Sequence, residues 1–497
     1  MNAPLILPPN PVFLINSMRR IGYTLETALA DIIDNSISAK AERISIQYRW
    51  NNGNPWIAIL DDGCGMSGDK LMEAMRFGSD SIRSSDDLGR FGLGLKTASL
   101  SQCRKLTVVS KQDGKLSALE WDVDTLSESD NCGWLVSAPF VDDLRAATPF
   151  AGLLEKLDGQ NSGTLVIWRK IDSWCEDGEQ RFSDRQFNKA MSVARDHVRL
   201  VFHRFISPDN ENQMPVAIDF NNSVLGELDP FGSSYAACLP LTGDTIRYKG
   251  EKINVRPYLL PHHSKIPRHD YENLGNLGGE DGYLQNQGFY IYRAKRLISK
   301  GGWFRMFPRT EWTKLVRIRV DFPNTLDSFL QLDVKKSQVT PPKSILDKLK
   351  PFATSASEKA KRVVERKSAV VSGEIVPIWE RKTGDARVSY TINENHPLAR
   401  HLVTDGNGNI DFRKLRLLRV IGAAFPRDMF NADANNDKIE IEYAVGDSEQ
   451  EKAVAEFVAK LRQNGDGEEA VRRLFATHQM PVGADVANKI ISKEYHA

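Results

Sequence analysis

The chain has 497 residues, ordinary apolar and charged fractions and a formal net charge of +1, which gives it length for two or three domains with real cores. Near-neutrality excludes a whole-molecule basic field for gathering nucleic acid and leaves only local patches for that purpose. No apolar run reaches the ~18 residues of a membrane span, MNAPLILPPNPVF lacks a basic leader and cleavage site, and Cys64, Cys103, Cys132, Cys175 and Cys238 form no CxxC. The expected setting is therefore a reducing cytoplasm, with no membrane, disulfide framework or zinc site.

In chain order, Thr24–Ala39 predicts a helix, because Leu25, Ala28, Leu29, Ile32, Ile33 and Ile37 follow the rhythm of a buried stripe. Its opposite stripe is polar: Thr27, Asp31, Asp34, Asn35 and Ser38. Alternation predicts a strand over Arg43–Trp50, the run NNGN (51–54) a turn, and Trp56–Leu60 a second strand leading into Asp61. Further strands are expected at Lys105–Ser110, Lys115–Trp121 and Thr164–Trp168, with a helix over Gln186–Phe205. A second mixed region holds the strand-like runs VAIDF, GFYIYRA, LVRIRVDF and FLQLDV and ends at Pro341 and Pro342. Beyond Ile345 a helix opens a further α+β segment. Interleaved helices and mostly antiparallel strands place the chain in the α+β class.

Three clusters carry chemistry. Asp31 and Asn35, at i and i+4, share one helix face, where the carboxylate can orient or deprotonate water. The amide oxygen one turn on can complete a Mg²⁺ shell of hard oxygens at ~2.1 Å. Alone, the pair also fits a solvated helix face. Asp61-Asp62-Gly63-Cys64-Gly65-Met66 follows an apolar strand; a carboxylate there can accept from a base amino group, and the glycines let the backbone turn sharply and approach closely. In isolation the same hexapeptide also fits a plain Asp-Gly turn. The third cluster, Gly89-Arg90-Phe91-Gly92-Leu93-Gly94-Leu95-Lys96, is a glycine-rich stretch before a helix start, suited to cradling phosphate. It is not a P-loop: Gly89 and Gly94 match GxxxxG, but Leu95 follows and Lys96 arrives one position late.

The order of polar-faced helix, strand–DxGxG and GxxGxG, with Gly163-Thr164 before the strand LVIW, resembles the Bergerat ATP-binding fold of the GHKL superfamily (gyrase, heat-shock-90 chaperones, histidine kinases and MutL). DDGCGMSGDKL, MRFGSDS, GLGLKTAS and DFNNSVLGELDPF are most similar to the MORC subgroup, with chaperone-like ATPases next. The resemblance implies an ATP-binding domain over 1–208, an S5-like transducer over 209–345 and a partner- or nucleic-acid-binding region over 346–497. It implies ATP and Mg²⁺ as cofactors. Asp61 would hold the adenine amino group, with Gly63, Gly65, Met66 and Thr164 shaping that end, and Asn35 would coordinate Mg²⁺. Gly89, Phe91, Gly92, Leu93, Gly94 and Leu95 would wrap the phosphates, Lys96 would reach one of them, and Ser67–Asp87 would form a mobile lid. In the segment LQLDVKKS, Lys336 or else Lys335 resembles the lysine that senses the γ-phosphate.

Asp31 departs from the pattern, because the family places Glu there. Its carboxylate retreats by roughly 1 Å, and misplacement on that scale costs on the order of 10²-fold in rate, so slow hydrolysis is expected. Glu26 and Asp34 are nearby alternatives, with Asp34 placed to support the Mg²⁺ ligand. The kinase branch is disfavoured, since the first histidine, His197, follows the whole pocket.

The resemblance also implies an ATP-dependent homodimer acting as a nucleotide-gated clamp, with DNA as ligand in a genome-defence setting. The rivals are a chaperone-like ATPase acting on protein clients and a non-hydrolysing ATP sensor in a defence complex. For DNA the sequence offers Arg293–Arg319, with nine cations, one acid (Glu311) and interleaved Trp303, Phe304, Phe307 and Trp312. The same stretch also fits a solvated strand face over an aromatic core.

Overall fold

The computed structural model describes residues 10–19, 22–77, 94–128, 134–146, 149–172, 183–209, 213–235, 237–261, 282–310, 313–327, 339, 341–372, 376–384, 387–405, 409–424 and 447–496. They divide into two compact units, Met1–Glu358 and Lys359–Ala497.

The first unit opens with helices α1 (Pro11–Arg19) and α2 (Leu25–Ser38), then strands β1 (Arg43–Arg49) and β2 (Trp56–Asp61). Thr24 caps α2 in a reciprocal box with Thr27, which satisfies backbone donors that a helix start leaves open. Helices α3 (Gly68–Met75) and α4 (Gly94–Gln102) precede β3 (Cys103–Gln112) and β4 (Lys115–Asp122). Then come α5 (Val123–Glu128), α6 (Val141–Ala146), α7 (Ala151–Gly159), β5 (Gly163–Ile171), α8 (Asp184–Val201), α9 (His203–Ile206), β6 (Ala217–Phe220) and β7 (Ser223–Val224). The strands form one seven-stranded sheet in the order β4-β3-β5-β2-β1-β6-β7, antiparallel except where β6 runs parallel to β1.

All six residues of β2 are buried, and they alternate between two cores. Ile57 and Ile59 join the large core formed with α2, α4 and α8, through Ala28, Leu29, Ile32, Ile33, Ala98, Phe187 and Met191. Trp56, Ala58 and Leu60 face a second core with Leu144 of α6 and Leu153, Leu154 and Leu157 of α7. The sheet is therefore covered on both faces, and each fully buried Leu or Ile contributes about 1.5–3 kcal/mol to holding the layers together. Register then places three polar residues side by side, since Thr164 lies opposite Asp61 on one flank and Ser110 on the other.

The first sheet extends past the expected boundary at 208, because the pairing of β6 with β1 carries it to Val224. A second, six-stranded sheet contains β8 (Leu239–Pro240), β9 (Asp244–Tyr248), β10 (Glu251–Leu259), β11 (Gly288–Arg293), β12 (Arg296–Ser299) and β13 (Val316–Phe322). Its order is β12-β11-β13-β10-β8, with β9 also on β10. Tyr258, Tyr290 and Tyr292 of this sheet pack with Phe231 and with Leu200 of α8, so the second sheet is seated on that helix. The run FLQLDV lies outside the described residues. The helix Lys343–Ser372 follows Pro341 and Pro342 as expected.

The second unit holds a hairpin, Trp379–Gly384 with Arg387–Ile392, and helices that include Asp447–Gln463, Glu468–Thr477 and Ala484–His496 around Val454, Val458, Val471 and Ile491. The chain as a whole is α+β.

Candidate nucleotide site

Strand β2 ends in Asp61, which is 5% exposed and accepts three hydrogen bonds. Ser36 Oγ donates to Oδ2 at 2.8 Å, and the amides of Gly63 and Thr164 donate to Oδ1 at 3.0 and 3.2 Å. Burial nevertheless outweighs these donors and pushes the carboxyl up from 3.8 to about 6. Ser110 Oγ accepts from the Met66 amide at 2.8 Å and sits 2.9 Å from Thr164 Oγ1, joining the loop after β2 to β3 and β5.

The glycines of this loop are dictated by backbone approach. Gly65 has φ +64°, and a methyl group on it would lie 1.9 Å from the Lys111 carbonyl oxygen. On Gly63 a methyl would lie 2.8 Å from Ala39 Cβ, at the end of α2. The backbone folds this tightly against β3 and α2 because no side chain intervenes.

On α2, Asp31 is buried and its Oδ2 accepts from Tyr23 Oη at 2.8 Å. Asn35, one turn on, is half-buried. Gly94 begins α4 beside them: a methyl placed on it would lie 4.0 Å from Asp31 Oδ2. The structure thus brings Asp31, Asn35, Gly94 and, through Ser36, Asp61 around one region. Leu95 and Met66 are half-buried against the large core. Gly89, Phe91, Gly92, Leu93, Lys335 and Lys336 lie outside the described residues, as does the lid segment beyond Phe77.

Lys96 has a place other than the phosphate contact the motif implies. It is fully buried, and its ammonium donates to the carbonyls of Ala74, at 2.9 Å, and of Arg76. Trp121 Nε1 donates to the Met75 carbonyl at 3.1 Å, so α4 and β4 together hold the last turn of α3. The physical reason is the open carbonyls of a helix end, which a buried cation satisfies well.

Asp34, expected to support the Mg²⁺ ligand, is fully buried and pairs at 2.8 Å with Arg296 of β12, whose Nη2 lies 3.7 Å from Asp31. Arg296, Ser36 and Ser110 are not conspicuous in the sequence, because each acts through a partner far along the chain, and Tyr23 meets Asp31 from outside the helix whose pattern was read.

Arg293–Arg319 is not a continuous cationic strip. Arg293 is buried against Asp327, Arg296 against Asp34, and Arg317 is fully buried, while Arg319 pairs with Asp209 and Asp321. Trp303 is core. Lys300, Arg305 and Arg309 are exposed, and Lys314 is half-buried.

Mg²⁺ fits the donor set in one way. Among the described residues no cluster of three or more His, Cys, Asp or Glu could hold an ion. An ion carried in on phosphate oxygens needs only one or two protein oxygens, which Asn35 can supply.

A buried carboxylate at a strand end, a glycine loop packed on a helix end and a second helix start beside an acid–amide pair thus lie together in one domain. Residues 23–164 match the family of histidine kinase-, DNA gyrase B- and HSP90-like ATPases, so this part of the chain is a GHKL ATPase domain. The chain resembles MORC ATPases. It is 35% identical over 104 residues to ATPase morc-1 of Caenorhabditis elegans, covering 21% of this chain and 12% of that protein. It is 32% identical over 126 residues to the DNA mismatch repair protein MutL of Paramagnetospirillum magneticum, covering 24% and 20%. It is 32% identical over 97 residues to MORC family CW-type zinc finger protein 1 of Mus musculus, covering 18% and 10%. The chain thus spans a fifth or less of each relative's length. Among the described residues no helix is long and apolar enough to cross a membrane.

Proposed function

We propose that the chain is a slow, Mg²⁺-dependent ATPase that works as a nucleotide-gated dimeric clamp on DNA. The observation that carries this reading is the convergence of Asp61, Ser36 and Thr164 at one end with Asp31, Asn35 and Gly94 at the other, all on elements of one sheet-and-helix layer. Asp61 accepts from the adenine amino group, and the Thr164 hydroxyl supports that end. Asn35 holds the ion, which supplies charge neutralisation on the phosphates when bound. The start of α4 offers amides to phosphate. Asp31, fixed by Tyr23, orients and deprotonates the attacking water. The second sheet, with the segment bearing Lys335 and Lys336, acts as transducer, and residues 346–497 engage a partner.

DNA binding is the further step. It is supported by the exposure of Lys300, Arg305 and Arg309 and by the names of the relatives, which include a DNA mismatch repair protein. The test is ATP turnover with and without duplex DNA, for the parent and Asp31→Ala, alongside DNA binding by a variant with Arg305, Arg309 and Lys314 neutralised. Turnover abolished by Asp31→Ala, and DNA binding lost on neutralisation, support the clamp. Nucleotide binding without turnover in the parent replaces it with an ATP sensor, and suppression of client aggregation without DNA binding replaces it with a chaperone.

A further inference from the structure

We infer that Arg296 is a positioning residue for ATP hydrolysis, reaching from the second sheet to set the carboxylate of Asp31; this rests on the ATPase reading above. Arg296 opens β12 directly after the two-residue turn Ala294-Lys295, which joins it to β11. Both turn residues have positive φ, +46° and +70°, the mirror-image conformation that matches the twist of a two-residue hairpin but that non-glycine residues adopt at a cost. On either side the hairpin is anchored by buried ion pairs, Arg293 to Asp327 and Arg296 to Asp34.

The Arg296 side chain is 4% exposed, that of Asp31 3% and that of Asp34 0%. Nε meets Asp34 at 2.8 Å, Nη2 stands 3.7 Å from Asp31 Oδ1, and the guanidinium lies 5.8 Å from the Phe202 ring centroid. Asp31 and Asp34 are three apart on α2, hence on one face, so a single planar fork can address both. Tyr23 holds the other oxygen of Asp31 at 2.8 Å. The carboxylate is thereby placed from two sides, by a hydroxyl within its own domain and by a guanidinium from the second sheet.

This matters more for Asp31 than for a longer glutamate. With one methylene fewer, Asp31 has less reach to search for the water, and its rate depends on where its backbone and neighbours hold it. The same contact gives the second sheet a direct hold on the helix that carries Asn35. Movement of β12 is then felt at the reacting end through one buried side chain rather than through loops.

A purely structural ion pair makes a different prediction, and the variants are chosen to separate the two. Arg296→Lys keeps the charge but loses the fork. The double variant Arg296→Met/Asp34→Asn removes both members of the closer ion pair and leaves Asp31 with the hydrogen bond from Tyr23. Steady-state ATPase kinetics and calorimetric binding of MgADP are measured on the full chain, with melting temperature as the fold control.

The expected result for the double variant is kcat lower by about 10–100-fold, the scale of a misplaced catalytic group, with MgADP affinity within a few-fold of the parent. Arg296→Lys should recover part of that loss. Parent-like kcat in both variants, or kcat and MgADP affinity falling together with the melting temperature, overturns the positioning role and leaves the ATPase reading standing. A parent that binds MgADP but never turns over ATP overturns both, and its zero rate distinguishes that case.

Discussion

Ser36 Oγ donates a 2.8 Å hydrogen bond to Asp61 Oδ2, so the helix that carries Asp31 and Asn35 also holds the carboxylate at the end of β2. The two ends of the proposed nucleotide site are joined through one turn of α2. A change at either end is therefore transmitted along a rigid element.

Removing that hydroxyl should weaken nucleotide binding without unfolding the domain. For Ser36→Ala, a neutral donor to a buried carboxylate is lost, and MgADP affinity should fall about 3- to 10-fold, the scale of one hydrogen bond. Asp61→Asn should cost more, about 10- to 150-fold, because the amide turns a donor toward a position that needs an acceptor. Isothermal calorimetry measures both; unchanged affinity in Asp61→Asn removes the adenine end from its proposed place.

The Asp61 carboxyl, raised by burial from 3.8 to about 6, sets a pH dependence with a definite sign. The folded state holds this proton more tightly than the unfolded chain does. Its contribution to stability is most favourable below about pH 4, declines as pH rises toward 6, and above that leaves a cost of about 3 kcal/mol for the buried charge. The melting temperature of the parent should therefore fall relative to Asp61→Asn between pH 4 and 7. A base amino group favours the ionised form, so MgADP binding near pH 6 should release a fraction of a proton. Calorimetry in two buffers of different ionisation enthalpy reads that release, and none is expected at pH 8.

Gly65 and Gly114 make a matched pair, with φ +64° and +73°, but only Gly65 has backbone within 1.9 Å of where a methyl would sit. Gly114→Ala should cost about 1 kcal/mol in stability from conformation alone. Gly65→Ala adds displacement of the loop from β3 and should cost several kcal/mol more, with nucleotide affinity lost. Thermal melts of the two variants test this, and equal shifts would sink it.

Lys96 anchors the last turn of α3 through Ala74 and Arg76, alongside Trp121 and beneath Phe77, 5.7 Å from its ring centroid. Lys96→Met should destabilise by about 1–3 kcal/mol, by leaving those carbonyls short of a donor. It should also speed amide hydrogen exchange in α3 with no nucleotide present. A side chain that served phosphate alone would leave exchange in the nucleotide-free protein unchanged.

What the sequence determined by itself is whatever local pattern encodes. The polar and apolar stripes of α2, the alternation in β1, and the run ending in Asp61 each follow from side-chain period, and α2, β1, β2 and β5 formed within a few residues of expectation. Motif order was enough to identify a GHKL ATPase domain toward the N-terminus. Tertiary structure decided what each polar residue faces, because that depends on partners brought in from distant strands. It turned Lys96 toward a helix end, gave Asp34 to Arg296, and drew Arg293, Arg296 and Arg317 out of an apparent basic strip into the interior. A buried charge must be matched wherever the fold places it, and the match is set by the packing of whole layers rather than by neighbours in the chain.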